Sequence, residues 1–231
     1  MIKRDIPKIR FNNSKIDWQQ AKFKNLLNSE EGITKCVQYA LSSFGIEEPD
    51  RKKLLCFIGP PLDPVFREKY GFDADKAWQA VLKYRERFDK TGIFECELYE
   101  GVADTIRKLK EEGYIIALAS SKPETACRRI LEHFSLTSYF DEIVGSTLDG
   151  SISTKQQVLE ELGRRMEHMQ ITKDEMCLIG DTEYDVIGAD QFGIRCVGVS
   201  YGFGKREQLE RAGAYCVCDS MAEVVDALQQ M

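Results

Sequence analysis

The chain has 231 residues, 43% of them hydrophobic, with 32 basic and 38 acidic side chains and a formal net charge of −6. That apolar content buries a full core, enough for one α/β domain carrying an insert or two modest domains, while the acidic balance argues against a nucleic-acid surface, which needs clustered Lys and Arg. No window holds the roughly 18 to 20 apolar residues of a membrane span, and the start MIKRDIPKIRF lacks the apolar stretch of a secretory signal. Nucleic acid and membrane are therefore excluded as partners, and the expected location is cytoplasmic.

In chain order, the first segment to place is KIDWQQAKFKNLLNSEEGITKCVQYAL. Ile16, Phe23, Leu26, Leu27, Ile33 and Val37 are apolar and no proline interrupts them. This pattern predicts that residues 17–28 extend the first helix toward its N-terminus; Gly32 weakens the helix by about 1 kcal/mol without forbidding it. From Ser29 to about Glu97 every periodic segment reads as helical, including ADKAWQAVLKYRERF, and strand alternation is absent. Between these helices Gly59, Pro60, Pro61 and Pro64 in FIGPPLDPVF mark a loop or helix break.

From Leu98 onward short apolar runs (YIIALAS, FDEIVGS, MCLIGD, IRCVGVS, YCVCDS) alternate with amphipathic helices such as GVADTIRKLKEEG, KPETACRRILEHF and TKQQVLEELGRRM. Alternation of this kind predicts right-handed βαβ units and a Rossmann-like parallel sheet covered on both faces, an α/β core. Ligands then sit beyond the carboxyl ends of the strands. After YIIALA come Ser120, Ser121, Lys122 and Pro123; Pro123 suits the first turn of a helix, which would leave a hydroxyl and backbone N–H groups to hold a phosphate. After CLIG come Asp181 and Asp185, one helical turn apart, so that both carboxylates can face one pocket and offer the hard oxygens that suit Mg²⁺. Lys155 opens a helix, where a cation opposes the helix dipole and a pocket phosphate would explain it.

The eight cysteines are scattered among apolar residues without metal-ligand spacing and read as reduced core thiols. His133 and His168 are the only histidines, both in polar helical segments, so a histidine-based metal or triad site is not expected.

Taken together, ALASSKP, DGSISTKQQV, LIGDTEYDVIGA and GVSYGFG, in this order and spacing, resemble the haloacid dehalogenase superfamily of phosphatases, closest to its phosphoglycolate phosphatase and 5'-nucleotidase-like branch. The resemblance runs over roughly residues 29–228. It implies a core of residues 1–31 and 98–231 with a helical cap, residues 32–97, inserted over the active site. It further implies that Ser120 hydrogen-bonds the transferring phosphoryl group, Lys155 neutralises it, and Asp181 and Asp185 position Mg²⁺ directly or through water. Ser121, Lys122, Gly59 and Pro60 are candidate substrate contacts, Gly59 and Pro60 equally candidates for shaping the cap. The implied partner is a small phosphorylated metabolite, on a chain that is a monomer or homodimer.

Members of the family carry a buried strand ending in Asp-x-Asp-Gly-Thr; its first Asp attacks phosphorus and its second is the general acid/base. Counting back without gaps from Ser29 puts Ala21 and Phe23 at these two positions, with Lys24 and Asn25 in place of Gly and Thr. Three readings follow: a catalytically silent relative that keeps the phosphate and Mg²⁺ pocket; a chain whose N-terminus comes from a rearranged or wrongly delimited reading frame; or a substitute nucleophile in Asp17 or Asp5. If residues 17–28 are helical, the sheet lacks its central strand unless PKIRFN fills the slot.

Overall fold

The computed structural model describes residues 20–23 and 26–231. Its main sheet is built from β1 (Gln20–Phe23), β4 (Ile115–Pro123), β5 (Glu142–Ser146), β6 (Met176–Gly180), β7 (Arg195–Val199) and β8 (Cys216–Cys218), in the order β5-β4-β1-β6-β7-β8. All neighbouring strands of this sheet run parallel. A second pairing is a short antiparallel ribbon of β2 (Leu27–Asn28) and β3 (Glu97–Leu98).

Parallel neighbours need crossovers, and the helices supply them. These are α4 (Val102–Glu111), α5 (Glu124–His133), α6 (Lys155–Met166), α7 (Glu183–Phe192), α8 (Arg206–Arg211) and α9 (Met221–Gln229). Side chains alternate across each strand, so both faces must be covered. Ile116, Leu118, Cys177, Ile179, Val197 and Val199 pack with the layer of Ile106, Leu109, Leu131 and Val224 from α4, α5 and α9. Ala117, Ala119, Val144, Leu178 and Cys196 pack on the opposite side with Val158, Leu162, Val186 and Leu209 from α6, α7 and α8.

Between the two strands of the ribbon, the chain forms a helical insert. It contains α1 (Glu30–Ser42), α2 (Leu62–Tyr70) and α3 (Ala74–Phe88), with a 3-10 turn over Arg51–Phe57. Its apolar residues make a separate cluster, in which Val37, Leu41, Leu54, Phe57, Phe66 and Val81 are buried, and Ala126 and Ile130 of α5 complete it from the sheet side. Phe57 and Phe66 meet at 4.7 Å between ring centroids. Asp73 caps α3 through Lys76 N, as an extended Asp before a helix should.

Two expectations are corrected. Of the segment 17–28, the described residues 20–23 and 26–28 do not prolong the first helix: α1 begins at Glu30, and Gln20–Phe23 is the central strand, paired with β4 on one side and β6 on the other. The slot between β4 and β6 offers two unpaired backbone ladders, and satisfying them outweighs a local apolar pattern that fits a helix equally well. Pro123 lies at the end of β4 as the residue before α5, with φ −53° and ψ 137°, and not in the helix's first turn. The segment PKIRFN lies outside the described residues, as do Asp5 and Asp17.

All eight cysteines are free thiols, five of them buried. Among the described residues, no helix is long and apolar enough to cross a membrane.

Candidate functional site

The strand order fixes where a site can form. From β1 the chain fills β4 and β5 on one side of the sheet, then β6, β7 and β8 on the other, so the connections diverge at β1, the switch point beyond which ligands bind in such sheets. Ser120, at the end of the apolar stretch of β4, and Asp181, the residue after β6, lie on the two flanks of that point.

Four polar side chains there are buried: Ser120 and Lys155 are 6% exposed, Asp181 2% and Asp185 0%. Buried charges are tolerated when paired and hydrogen-bonded, and these are. Lys155 is the first residue of α6, fixed by a capping box in which Thr154 accepts from Gln157 N and Gln157 accepts from Thr154 N. Its Nζ donates to Ala119 O at 2.7 Å and stands 3.3 Å from Asp185 Oδ1. One ammonium thereby ties the strand end that carries Ser120 to the helix that carries Asp185. The lysine stem passes over Gly188 of α7, where an added Cβ would lie 2.4 Å from Lys155 Cγ.

Asp185 is in the first turn of α7 and caps it: its Oδ2 accepts from Thr182 N at 3.2 Å and from Thr182 Oγ1 at 2.7 Å. Asp181 Oδ2 accepts from Phe203 N at 2.8 Å, a donor in the loop after β7. Ser120 Oγ accepts from Lys122 N at 3.1 Å, within the last residues of β4. Burial pushes the nearby Cys127 thiol up, partly opposed by its hydrogen bond with Ser120.

The structure gathers Ser120, Lys155, Asp181 and Asp185 beyond the carboxyl ends of β4 and β6, with Lys155 and Asp185 paired beneath Ser120 and Asp181. Ser121 is exposed and Lys122 half-buried beside them. Gly59 sits in the bend before α2 with φ +107°, exposed, and Pro60 follows half-buried; both belong to the helical insert. Ala21 and Phe23 are strand residues of β1. Ala21 is in register with Ile116 and Cys177, and Phe23 with Leu118 and Ile179, two residues before Ser120 and Asp181. From Trp18 to Asn28 the sequence contains no Asp or Glu. Sequence reasoning did not single out Ala119 O, Thr182, Gly188 or Phe203. The signal for Phe203 is the pair of glycines that flank it in GVSYGFG.

Asp181 offers a hard carboxylate at a strand end of the kind that suits Mg²⁺, while Asp185, with Oδ2 held by Thr182 and Oδ1 3.3 Å from Lys155 Nζ, would position the ion through water rather than bind it directly. Among the described residues no group of three or more His, Cys, Asp or Glu gathers around a point. Water and a phosphate oxygen would supply the other ligands, as this ion prefers. A cavity of 260 Å³ lined by residues including Lys173, Asp190, Arg195 and Tyr215 lies elsewhere, at the amino end of β7.

A doubly wound parallel sheet with a helical insert carries a buried Ser, Lys and acidic pair at its switch point, the place where such folds gather their binding groups. The chain belongs to the haloacid dehalogenase-like hydrolase family, whose profile matches residues 24–199. It is 37% identical over 204 residues to a 5'-nucleotidase of Pseudomonas aeruginosa, an alignment covering 88% of this chain and 91% of that protein. The crystal structure of a predicted phosphatase from Clostridium acetobutylicum superposes with a TM-score of 0.84 at 40% identity, covering 93% of this chain and 99% of the other. The tyrosine-protein kinase PtkA of Mycobacterium tuberculosis is 28% identical over 205 residues, 89% of this chain and 68% of that protein. The fold and family are those of haloacid dehalogenase phosphatases.

Proposed function

We propose that the chain is a Mg²⁺-dependent phosphomonoesterase scaffold for small phosphorylated metabolites of the nucleoside monophosphate or phosphoglycolate type, with its own turnover impaired. The observation that carries this reading is the contrast within one site. Ser120, Lys155, Asp181 and Asp185 are buried and mutually organised, whereas the sequence from Trp18 to Asn28, which includes the central strand Gln20–Phe23, contains no Asp or Glu to attack phosphorus or move the leaving-group proton.

Phosphoryl transfer depends on positioning and on stabilising charge over the equatorial oxygens. In this reading Lys155 and the backbone donors near Ser120 neutralise and orient the phosphate, and residues 32–97 form a cap that excludes water. Mg²⁺ held at Asp181 and Asp185 would add positive charge opposite the phosphate oxygens. The similarity to a 5'-nucleotidase supports the nucleoside monophosphate alternative.

What is lost is the covalent route. Losing a nucleophile has cost on the order of 10⁶ in kcat in another hydrolase, so any residual rate from pocket electrostatics is a trace. The same contrast favours a second reading, a non-catalytic phospho-ligand-binding or interaction module that binds without turnover.

The test is hydrolysis of p-nitrophenyl phosphate, nucleoside monophosphates and phosphoglycolate with Mg²⁺, beside Asp181→Asn and Asp17→Asn. The proposal expects no rate above the Asp181→Asn background. Turnover abolished by both substitutions would overturn it, because Asp17 would then be a rebuilt nucleophile. Mg²⁺-dependent binding of a nucleoside monophosphate without turnover would support the binding module.

A further inference from the structure

One side of the helical insert presents large apolar side chains to solvent. In α3, Trp78 is 49% and Leu82 48% exposed, while the helix buries Ala77, Ala80, Val81, Tyr84 and Phe88 on its other side. Four residues separate Trp78 from Leu82, so the two lie one above the other on the helix surface.

Charge continues the stripe in both directions. Asp75 precedes Trp78 by three residues and Arg85 follows Leu82 by three, so Asp75, Trp78, Leu82 and Arg85 recur at three, four and three. That is the spacing of one coiled-coil seam. Asp75 is exposed, and the half-buried Arg85 lays its guanidinium over the Trp78 ring, 5.5 Å from the centroid. Beside the seam, the exposed Tyr39 of α1 donates to Glu86 at 3.0 Å and widens the apolar surface. Lys83 pairs with Glu86 and Arg87 with Glu95, whereas among the described residues Asp75 and Arg85 form no ion pair.

The order of the four residues makes the seam complementary to itself. Asp75 and Arg85 stand equally far along the chain from Ala80, and so do Trp78 and Leu82. A second α3 turned end to end about that midpoint sets its Leu82 against Trp78 and its Arg85 against Asp75, and the two-fold axis repeats both contacts. Parallel pairing would instead oppose Asp75 with Asp75 and Arg85 with Arg85.

We propose that α3 is a homodimer interface, through which two copies of this chain join their inserts by an antiparallel, two-fold contact of Asp75, Trp78, Leu82 and Arg85. Tryptophan and arginine are the residues that anchor such contacts, and the flanking charges fix direction and register. With 15 residues α3 is about 22 Å long. The contact therefore belongs to the small class below about 1,200 Å², and the dimer is weak and reversible. The inference is independent of the proposed function.

The experiment is sedimentation velocity of the full chain from about 1 μM to about 1 mM, the range of weak association. The samples are the wild type, Leu82→Glu, Asp75→Arg, Arg85→Asp, the double variant Asp75→Arg with Arg85→Asp, and an equimolar mixture of the two single charge variants. Circular dichroism and thermal unfolding at the lowest concentration report whether each chain is folded, and if a charge variant is not, Leu82→Glu carries the test. The wild type is expected to pass from monomer to dimer across the range, and Leu82→Glu to stay monomeric. Each single charge reversal opposes like charges twice and is expected to weaken association by about tenfold or more. The double variant and the mixture are both expected to regain wild-type association, the mixture because one chain carries arginine at both positions and the other aspartate. A wild type that stays monomeric overturns the proposal, as does a dimer that Leu82→Glu or the single reversals leave unchanged. Loss in the single variants without recovery in the double variant overturns the antiparallel contact, whatever the mixture does.

Discussion

Lys155 Nζ and Asp185 Oδ1 lie 3.3 Å apart with side chains only 4% and 0% exposed, an ion pair sealed between α6 and α7. Removing one partner of a buried pair leaves the other charged and desolvated. Lys155→Met is expected to destabilise the chain by about 3 to 5 kcal/mol, and Lys155→Met with Asp185→Leu by clearly less. Urea unfolding of the two variants checks this; equal losses would show that the pair is not energetically coupled.

A second ion pair braces the insert. Arg87 of α3 donates to Glu95 from Nη1 at 2.6 Å and from Nη2 at 2.9 Å, and also from Nη1 to Cys36 Sγ at 3.3 Å. Glu95 in turn accepts from Lys35, and its backbone carbonyl accepts from Gly32 N. Arg87→Ala is expected to cost about 1.5 to 3 kcal/mol, the range for hydrogen bonds to charged groups. Arg87→Lys is expected to recover only part, because an ammonium cannot reproduce the two-point fork. Denaturant midpoints for the two variants measure the difference.

The fold was legible from Leu98 onward because parallel strands buried on both faces leave uninterrupted apolar runs, and the helices between them keep one apolar side. Asp181, Asp185, Lys155 and Ser120 were legible because strand ends and helix starts are where this architecture gathers polar groups. Gln20–Phe23 was not. Its sequence QAKF has no strand signature, and its conformation is set by β4 and β6, whose ladders it joins. The clamp on Asp181 was also hidden: it is a backbone N–H, carried by a residue whose type says nothing about the contact.

Acid should weaken the chain through Glu161. Hydrogen bonds from Arg164 and then Arg165 hold its carboxyl down at about 2 from the usual 4.5. A carboxyl depressed on folding contributes stability above its unfolded pKa and loses it as the pH falls toward the folded one. Stability should therefore decline between about pH 4.5 and about pH 2, and Glu161→Gln should flatten that decline while changing little of its slope at neutral pH. Urea midpoints measured across this window for both proteins decide the matter; identical acid profiles would place the loss on other groups.

Under the proposed function no carboxylate of this chain attacks phosphorus. The most direct measurement is acid-quenched intact-mass analysis after mixing the full chain with Mg²⁺ and a nucleoside monophosphate or p-nitrophenyl phosphate, with hydroxylamine treatment as the control for an acyl phosphate. The account predicts no phosphoryl adduct at any time point. A hydroxylamine-labile adduct that maps to Asp5 or Asp17 would contradict it and make the chain a working phosphatase with a relocated nucleophile.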